Sequence, residues 1–137
     1  MNATPPSPPV LQLRLVVEAE DFDAALTFYR DALGLREGAA FQGDGDARVV
    51  ILEAGRATLE LANPAQKRMI DRVEVGRPVS PKIRVAFEVR DAVGMTSVLV
   101  DAGATLIAEA TETPWRSLNS RLEAPAGLQI TLFQELD

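Results

Sequence analysis

Two absences decide what chemistry this chain can do. It contains no histidine and no cysteine. Without imidazole it lacks the commonest general base and the commonest nitrogen ligand for a metal. Without thiols it has no disulfide framework, no thiolate nucleophile and no zinc ribbon, and neither a Ser/His/Asp nor a Cys/His arrangement can be built. What remains is arginine, carboxylate, amide and hydroxyl groups set into alternating apolar stretches. Leu11, Leu13, Leu15 and Val17 alternate with Gln12, Arg14, Val16 and Glu18. A period of two predicts a strand with one buried face, which puts Arg14 and Glu18 on the other. Ile83, Val85, Phe87 and Val89 set Arg84 and Glu88 apart in the same way. Thr58 and Glu60 oppose Leu59 and Leu61, and Gln129, Thr131 and Phe133 form the polar row of a last strand. Asn119 and Arg121 are further candidates for that face.

The charges on this face nearly cancel: Arg14, Arg84 and Arg121 stand against Glu18, Glu60 and Glu88. Partly buried charges need partners, and an Arg14–Glu60–Arg84 network would supply them. Alternatively one guanidinium stays free to clamp a carboxylate or carbonyl of a ligand. Glu60 is the one candidate general base, but two nearby arginines would lower its pKa and weaken it. Trp115, the only tryptophan, follows Pro114 at the start of a strand, where it could stack on a flat ligand or equally fill a core or interface. Phe41, beside the Gly43–Gly45 turn, is a second stacking candidate. Phe28, Tyr29 and Phe87 fall at core positions.

These residues need elements to position them. Asp21 reads as an N-cap, followed by Phe22, Ala25, Leu26, Tyr29, Ala32 and Leu33 at helical spacing, with Gly34 to end the helix. Strands are predicted over about 36–42, 47–54 and 57–62, separated by glycine turns. Gly43-Asp44-Gly45-Asp46 reads as a hairpin, not a phosphate cradle, since no helix starts after it. Asn63-Pro64 begins a connector over 63–81 with a short helix at 65–74, whose Lys67-Arg68 reads as a solvated face. The pattern then restarts: strand, Asp91 cap, helix to Gly103, and strands near 104–110, 115–123 and 128–134. A shift of 70 superposes Arg14 on Arg84, Glu18 on Glu88, Asp21 on Asp91, Asp31 on Asp101 and Ala32 on Ala102. That is an internal duplication of one supersecondary unit.

With 137 residues, 47% apolar and 25% charged, the chain is long enough for one domain with a real core. The expected division is a Pro-rich arm over 1–9, module one over 10–62, the connector, and module two over 82–135. The arm is a loose tail or reaches a neighbouring subunit. The net charge of -6 argues against binding a nucleic-acid backbone. No apolar run suits a membrane span and the N-terminus does not resemble a signal peptide, so a cytoplasmic setting is the expectation.

The run Asp21-Phe22-Asp23-Ala24-Ala25-Leu26-Thr27-Phe28-Tyr29-Arg30-Asp31-Ala32-Leu33-Gly34-Leu35 resembles the opening of the vicinal oxygen chelate superfamily of glyoxalase I, bleomycin-resistance proteins and extradiol dioxygenases. Ala57-Thr58-Leu59-Glu60-Leu61 resembles the last strand of its first module. Pro114-Trp115-Arg116 through Arg121, Ala124-Pro125-Ala126-Gly127 and Ile130-Thr131-Leu132 resemble its C-terminal signature. The resemblance spans about 10–135. It implies an α+β fold of two tandem βαβββ modules whose curved mixed sheets surround a cleft, in a single domain that dimerises.

In metal-dependent relatives, the first and last strand of each module would each give one ligand. Those positions fall on Arg14, Glu60, Arg84 and Thr131, and two guanidiniums, which offer no lone pair, would repel a divalent ion. The resemblance therefore points to the metal-free, bleomycin-resistance-like branch: a cytoplasmic homodimer that sequesters an aromatic or amphipathic drug or metabolite, with no cofactor. The expected contacts are Arg14, Glu60, Arg84, Trp115, Phe41, Thr58, Asn119, Arg121 and Thr131. The alternatives are a lyase, isomerase or dioxygenase relative using Glu60, or a regulatory or scaffold member with a filled cleft.

Overall fold

The computed structural model describes residues 12, 14–43, 45–58 and 60–137. Helix α1 (Phe22–Leu26) runs on into a π-helical turn (Thr27–Ala32). Strands β1 (Arg36–Gln42) and β2 (Arg48–Glu53) follow as a hairpin. Helix α2 (Pro64–Glu74) leads through a loop to β3 (Val85–Glu88), α3 (Ala92–Asp101), β4 (Thr105–Glu112), β5 (Ser117–Ala124) and β6 (Leu128–Glu135). There are two sheets: the β1–β2 hairpin, and a four-stranded sheet in the order β3-β6-β5-β4. In the larger sheet β3 lies parallel to β6 and the other pairs are antiparallel. The architecture is a mixed α+β domain, not a closed barrel.

The duplication is visible in the helix starts. Asp21 Oδ1 accepts from the Ala24 amide at 3.1 Å, and Asp91 Oδ1 accepts from the Gly94 amide at 3.0 Å. Each cap satisfies an amide that the first turn leaves orphaned. Asn63 caps α2 in the same way, accepting from Gln66 at 2.9 Å, with Pro64 in the first turn where its missing N–H costs nothing.

The two modules then diverge. Module two forms the full strand–helix–three-strand unit. In module one the outer strands predicted at 10–17 and 57–62 are not formed among the described residues, and the predicted Pro-rich arm lies outside those residues. Residues 14–19 have no ladder partner there, and Leu15, Val16 and Leu61 are exposed. The cause is where the first helix buries its apolar face. Ala25, Phe28, Tyr29 and Leu33 pack with Leu99, Leu122, Ile130 and Leu132, so both modules' helices cover the same side of the four-stranded sheet. Phe28 and Tyr29 meet edge-to-face at 4.9 Å, and the Tyr29 hydroxyl donates to the Pro125 carbonyl at 2.7 Å. The hairpin is covered less: among its described residues Leu52 alone packs against this core, and Arg48 lies over the Phe22 ring at 4.4 Å. A parallel pair such as 14–18 with 57–61 needs both faces covered.

Candidate functional site

Register fixes which side chains share the other, polar face of the four-stranded sheet. Arg121 pairs with Thr131, Asn119 with Phe133, Glu123 with Gln129, and Ala86 with Thr131. Directly opposed residues point to the same side, so Arg84, Asn119, Arg121, Gln129 and Thr131 form one polar field. Leu118, Leu122, Ile130 and Leu132 point to the helix side.

One half of this field is sealed by α2. Arg121, completely buried, donates from Nη1 to Asp71 (3.1 Å), Ser80 (2.8 Å) and Gln129 (2.8 Å), and from Nη2 to Glu74 at 2.7 Å. Asn119 donates to the other Glu74 oxygen at 2.7 Å. Asp71 also accepts from the amides of Val79 and Ser80, both at 3.0 Å. Burial pushes the Asp71 carboxyl up, but the bonds from Ser80, Val79 and Arg121 outweigh it and hold it at about 2. Arg121 Nε is left as the one buried side-chain nitrogen or oxygen without a partner among the described residues.

The other half, at the open edge formed by β3, holds Arg84. Its Nη1 donates to the Thr131 hydroxyl at 2.7 Å. Among the described residues no carboxylate lies within 4.0 Å of it. Burial lowers its pKa, and the field of Arg121 lowers it further, against the weaker pull of Glu74, Glu60 and Asp71.

The expected Arg14–Glu60–Arg84 network is therefore not assembled. Arg14 is exposed and among the described residues hydrogen-bonds only to Gln12, at 3.3 Å, and Glu60 and Thr58 are exposed too. The buried network is built instead on Arg121 with Asp71 and Glu74 of the connector, two residues absent from the expected contacts. The missed signal was the spacing: two carboxylates three residues apart share one helix face. Trp115 is not beside Arg84 either. It sits, 46% exposed, in the turn before Ser117. Ser117 pairs with Glu135, whereas Val85, next to Arg84, pairs with Ile130, near the Glu123 level of β5. The six residue steps from Ser117 to Glu123 span roughly 20 Å of strand at about 3.3 Å each. Phe41 is exposed on the hairpin, lining an open hollow of about 400 Å³ that does not include Arg84. A second hollow of about 370 Å³ beside α2, around Lys67 and Arg68, does not include it either.

The metal positions of the fold do not fit a metal. Thr131 accepts a hydrogen bond from Arg84, so a guanidinium stands where an ion would need lone pairs. Among the described residues no three acidic side chains converge.

Residues 14–133 match the glyoxalase-like domain family. The chain belongs to that family, within the vicinal oxygen chelate superfamily. Solved structures share the fold. A member of the glyoxalase/bleomycin resistance protein/dioxygenase superfamily from Sphaerobacter thermophilus is 24% identical, with a TM-score of 0.57 over 88% of this chain and 92% of its own. A glyoxalase-related enzyme from Fulvimarina pelagi is 17% identical, with a TM-score of 0.56 over 92% and 89%. A family enzyme from Burkholderia phytofirmans is 17% identical, with a TM-score of 0.52 over 85% and 91%. No curated protein sequence matches the chain. No helix among the described residues is long and apolar enough to cross a membrane.

Proposed function

We propose that this glyoxalase-like protein is a cytoplasmic, non-catalytic binder that sequesters a small drug or metabolite, anchored through Arg84. The observation that carries the reading is a half-buried guanidinium that, among the described residues, bonds only to a hydroxyl and lies at an edge strand of the sheet. A desolvated cation without a carboxylate is poised for a carbonyl or carboxylate oxygen. Turnover has little to work with: Asp71 and Glu74 are committed to Arg121, and Glu60 is exposed. A homodimer belongs to the same proposal. Leu15, Val16, Leu61 and Ile83 are exposed at 53, 86, 87 and 69%, apolar surface that a second copy would cover.

The test is a thermal-shift screen of the purified protein against flat, amphipathic natural products, with mass spectrometry of the recovered compound. Stabilisation by an unaltered compound, lost in Arg84→Gln, is the expected result. A compound recovered chemically changed, with the change abolished by Glu60→Gln, would establish the enzyme reading instead. The filled-cleft scaffold is favoured by one observation, the sealing of half the polar face by α2. It predicts that no compound stabilises the protein.

A further inference from the structure

Arg121 and Arg84 flank Thr131 on one face. Thr131 lies directly across the ladder from Arg121 and accepts the Arg84 hydrogen bond at 2.7 Å. Arg121 spends both terminal nitrogens on the α2 side, on Asp71, Glu74, Ser80 and Gln129. Its Nε, the nitrogen nearest the strand, has no acceptor among the described residues although it is buried. An orphaned N–H in a desolvated site carries a penalty that an incoming acceptor removes. The Thr131 oxygen accepts from Arg84, which leaves its own O–H free to donate. Thr131 thus stands between two guanidiniums: it accepts from Arg84 and lies across the ladder from Arg121, whose Nε–H is unpartnered among the described residues.

Donors without an opposing acceptor select a group that only accepts. We infer that this spot, the fold's usual metal position, is an oxyanion site in this chain, taking the carboxylate of an aryl or alkyl carboxylic acid. The inference rests on the binding reading above and names the ligand's anchoring group. One carboxylate oxygen takes the Arg84 fork and the other takes Thr131 and Arg121 Nε. Arg121 Nε is closed to solvent, so Arg84 turns off Thr131 as the carboxylate enters. A neutral amide of the same shape presents N–H groups to donors and is rejected.

The experiment uses the whole protein, with benzoate and benzamide as probes. Binding is followed by thermal shift, and the Arg121 Nε–H by its 15N–1H cross-peak. Benzoate should raise the melting temperature and move the Arg121 Nε–H signal, whereas benzamide should do neither. Arg84→Gln should weaken benzoate by about tenfold or more, the scale of a lost charge-assisted bond. Benzoate binding that leaves the Nε–H signal unmoved overturns the two-arginine site. Stabilisation by neutral aromatic compounds but not by benzoate overturns the oxyanion inference while leaving the binding function standing. If no carboxylate and no neutral compound binds, both fail.

Discussion

Arg14 and Arg84 are the same position of a duplicated unit, each set between apolar residues with a glutamate four residues on, and they end in opposite situations. Arg84 is half-buried against Thr131, whereas Arg14 is exposed and among the described residues bonds only to Gln12. The difference lies in what each strand is laid against. Module two places β3 beside β6 and over the shared helix layer. Module one sends its helix to that same layer and leaves its own hairpin touching it through Leu52 and Arg48. A repeat in sequence thus becomes one stable core and one surface-exposed hairpin, because only one sheet receives the buried apolar faces of both helices.

The largest test of this asymmetry is Arg121, which joins the connector to module two. Replacing Arg121 by Met strands two buried carboxylates, and urea unfolding should show a loss of about 3–5 kcal/mol. Arg48→Gln, which breaks the exposed Arg48–Asp23 pair of module one, should lose about 0–1 kcal/mol. Similar losses at both positions would contradict the division.

The cores should separate the modules next. Leu132 is fully buried, and Leu132→Ala should lose about 2–5 kcal/mol. Val49 on the hairpin is 47% exposed, and Val49→Ala should stay within about 0.5 kcal/mol. A loss at Val49 approaching that at Leu132 would show that a second copy buries the hairpin in solution.

A smaller effect belongs to acid. Asp71 titrates at about 2 in the fold, below its ordinary value of 3.8. A folded pKa below the unfolded one stabilises the protein above the unfolded value, and the contribution drains away as pH falls from about 4 to about 2. Unfolding free energies measured across that window should fall less steeply in Asp71→Asn than in the parent. Matching slopes would show that Asp71 does not titrate as its contacts require.

Much of this fold is legible in the sequence, for local reasons. Asp21, Asp91 and Asn63 announce helix starts by chemistry confined to three or four residues, and all three cap as expected. Glycine turns and alternation mark β1, β2 and the strands of module two. The segments at 14–18 and 57–61 alternate just as clearly, but alternation says that a face is available, not that anything will cover it. The candidate site is less legible for the same reason. Arg84 and Thr131 stand out by parity, and they do meet. The partners of Arg121 lie 47 and 50 residues away on a helix whose docking depends on the tertiary fold. Trp115 and Phe41 attract notice as rare aromatics, a property of composition that carries no information about distance.

The smallest effect on stability should be the most telling for function. Arg84 is charged where burial and the field of Arg121 both disfavour the charge. A group whose charged form is disfavoured by the fold lowers stability relative to a neutral replacement of similar shape. Arg84→Gln keeps a donor for the Thr131 hydroxyl and removes the charge, so unfolding should show no loss and a gain of up to about 1 kcal/mol. Its repeat partner is the control: Arg14→Gln, at an exposed position, should change stability by less than about 0.5 kcal/mol in either direction. A residue that can be removed without harm to the fold, but not without loss of ligand, is held there for the ligand. If Arg84→Gln instead costs as much as Arg121→Met, Arg84 is part of the structural network, and the anchoring role passes from it.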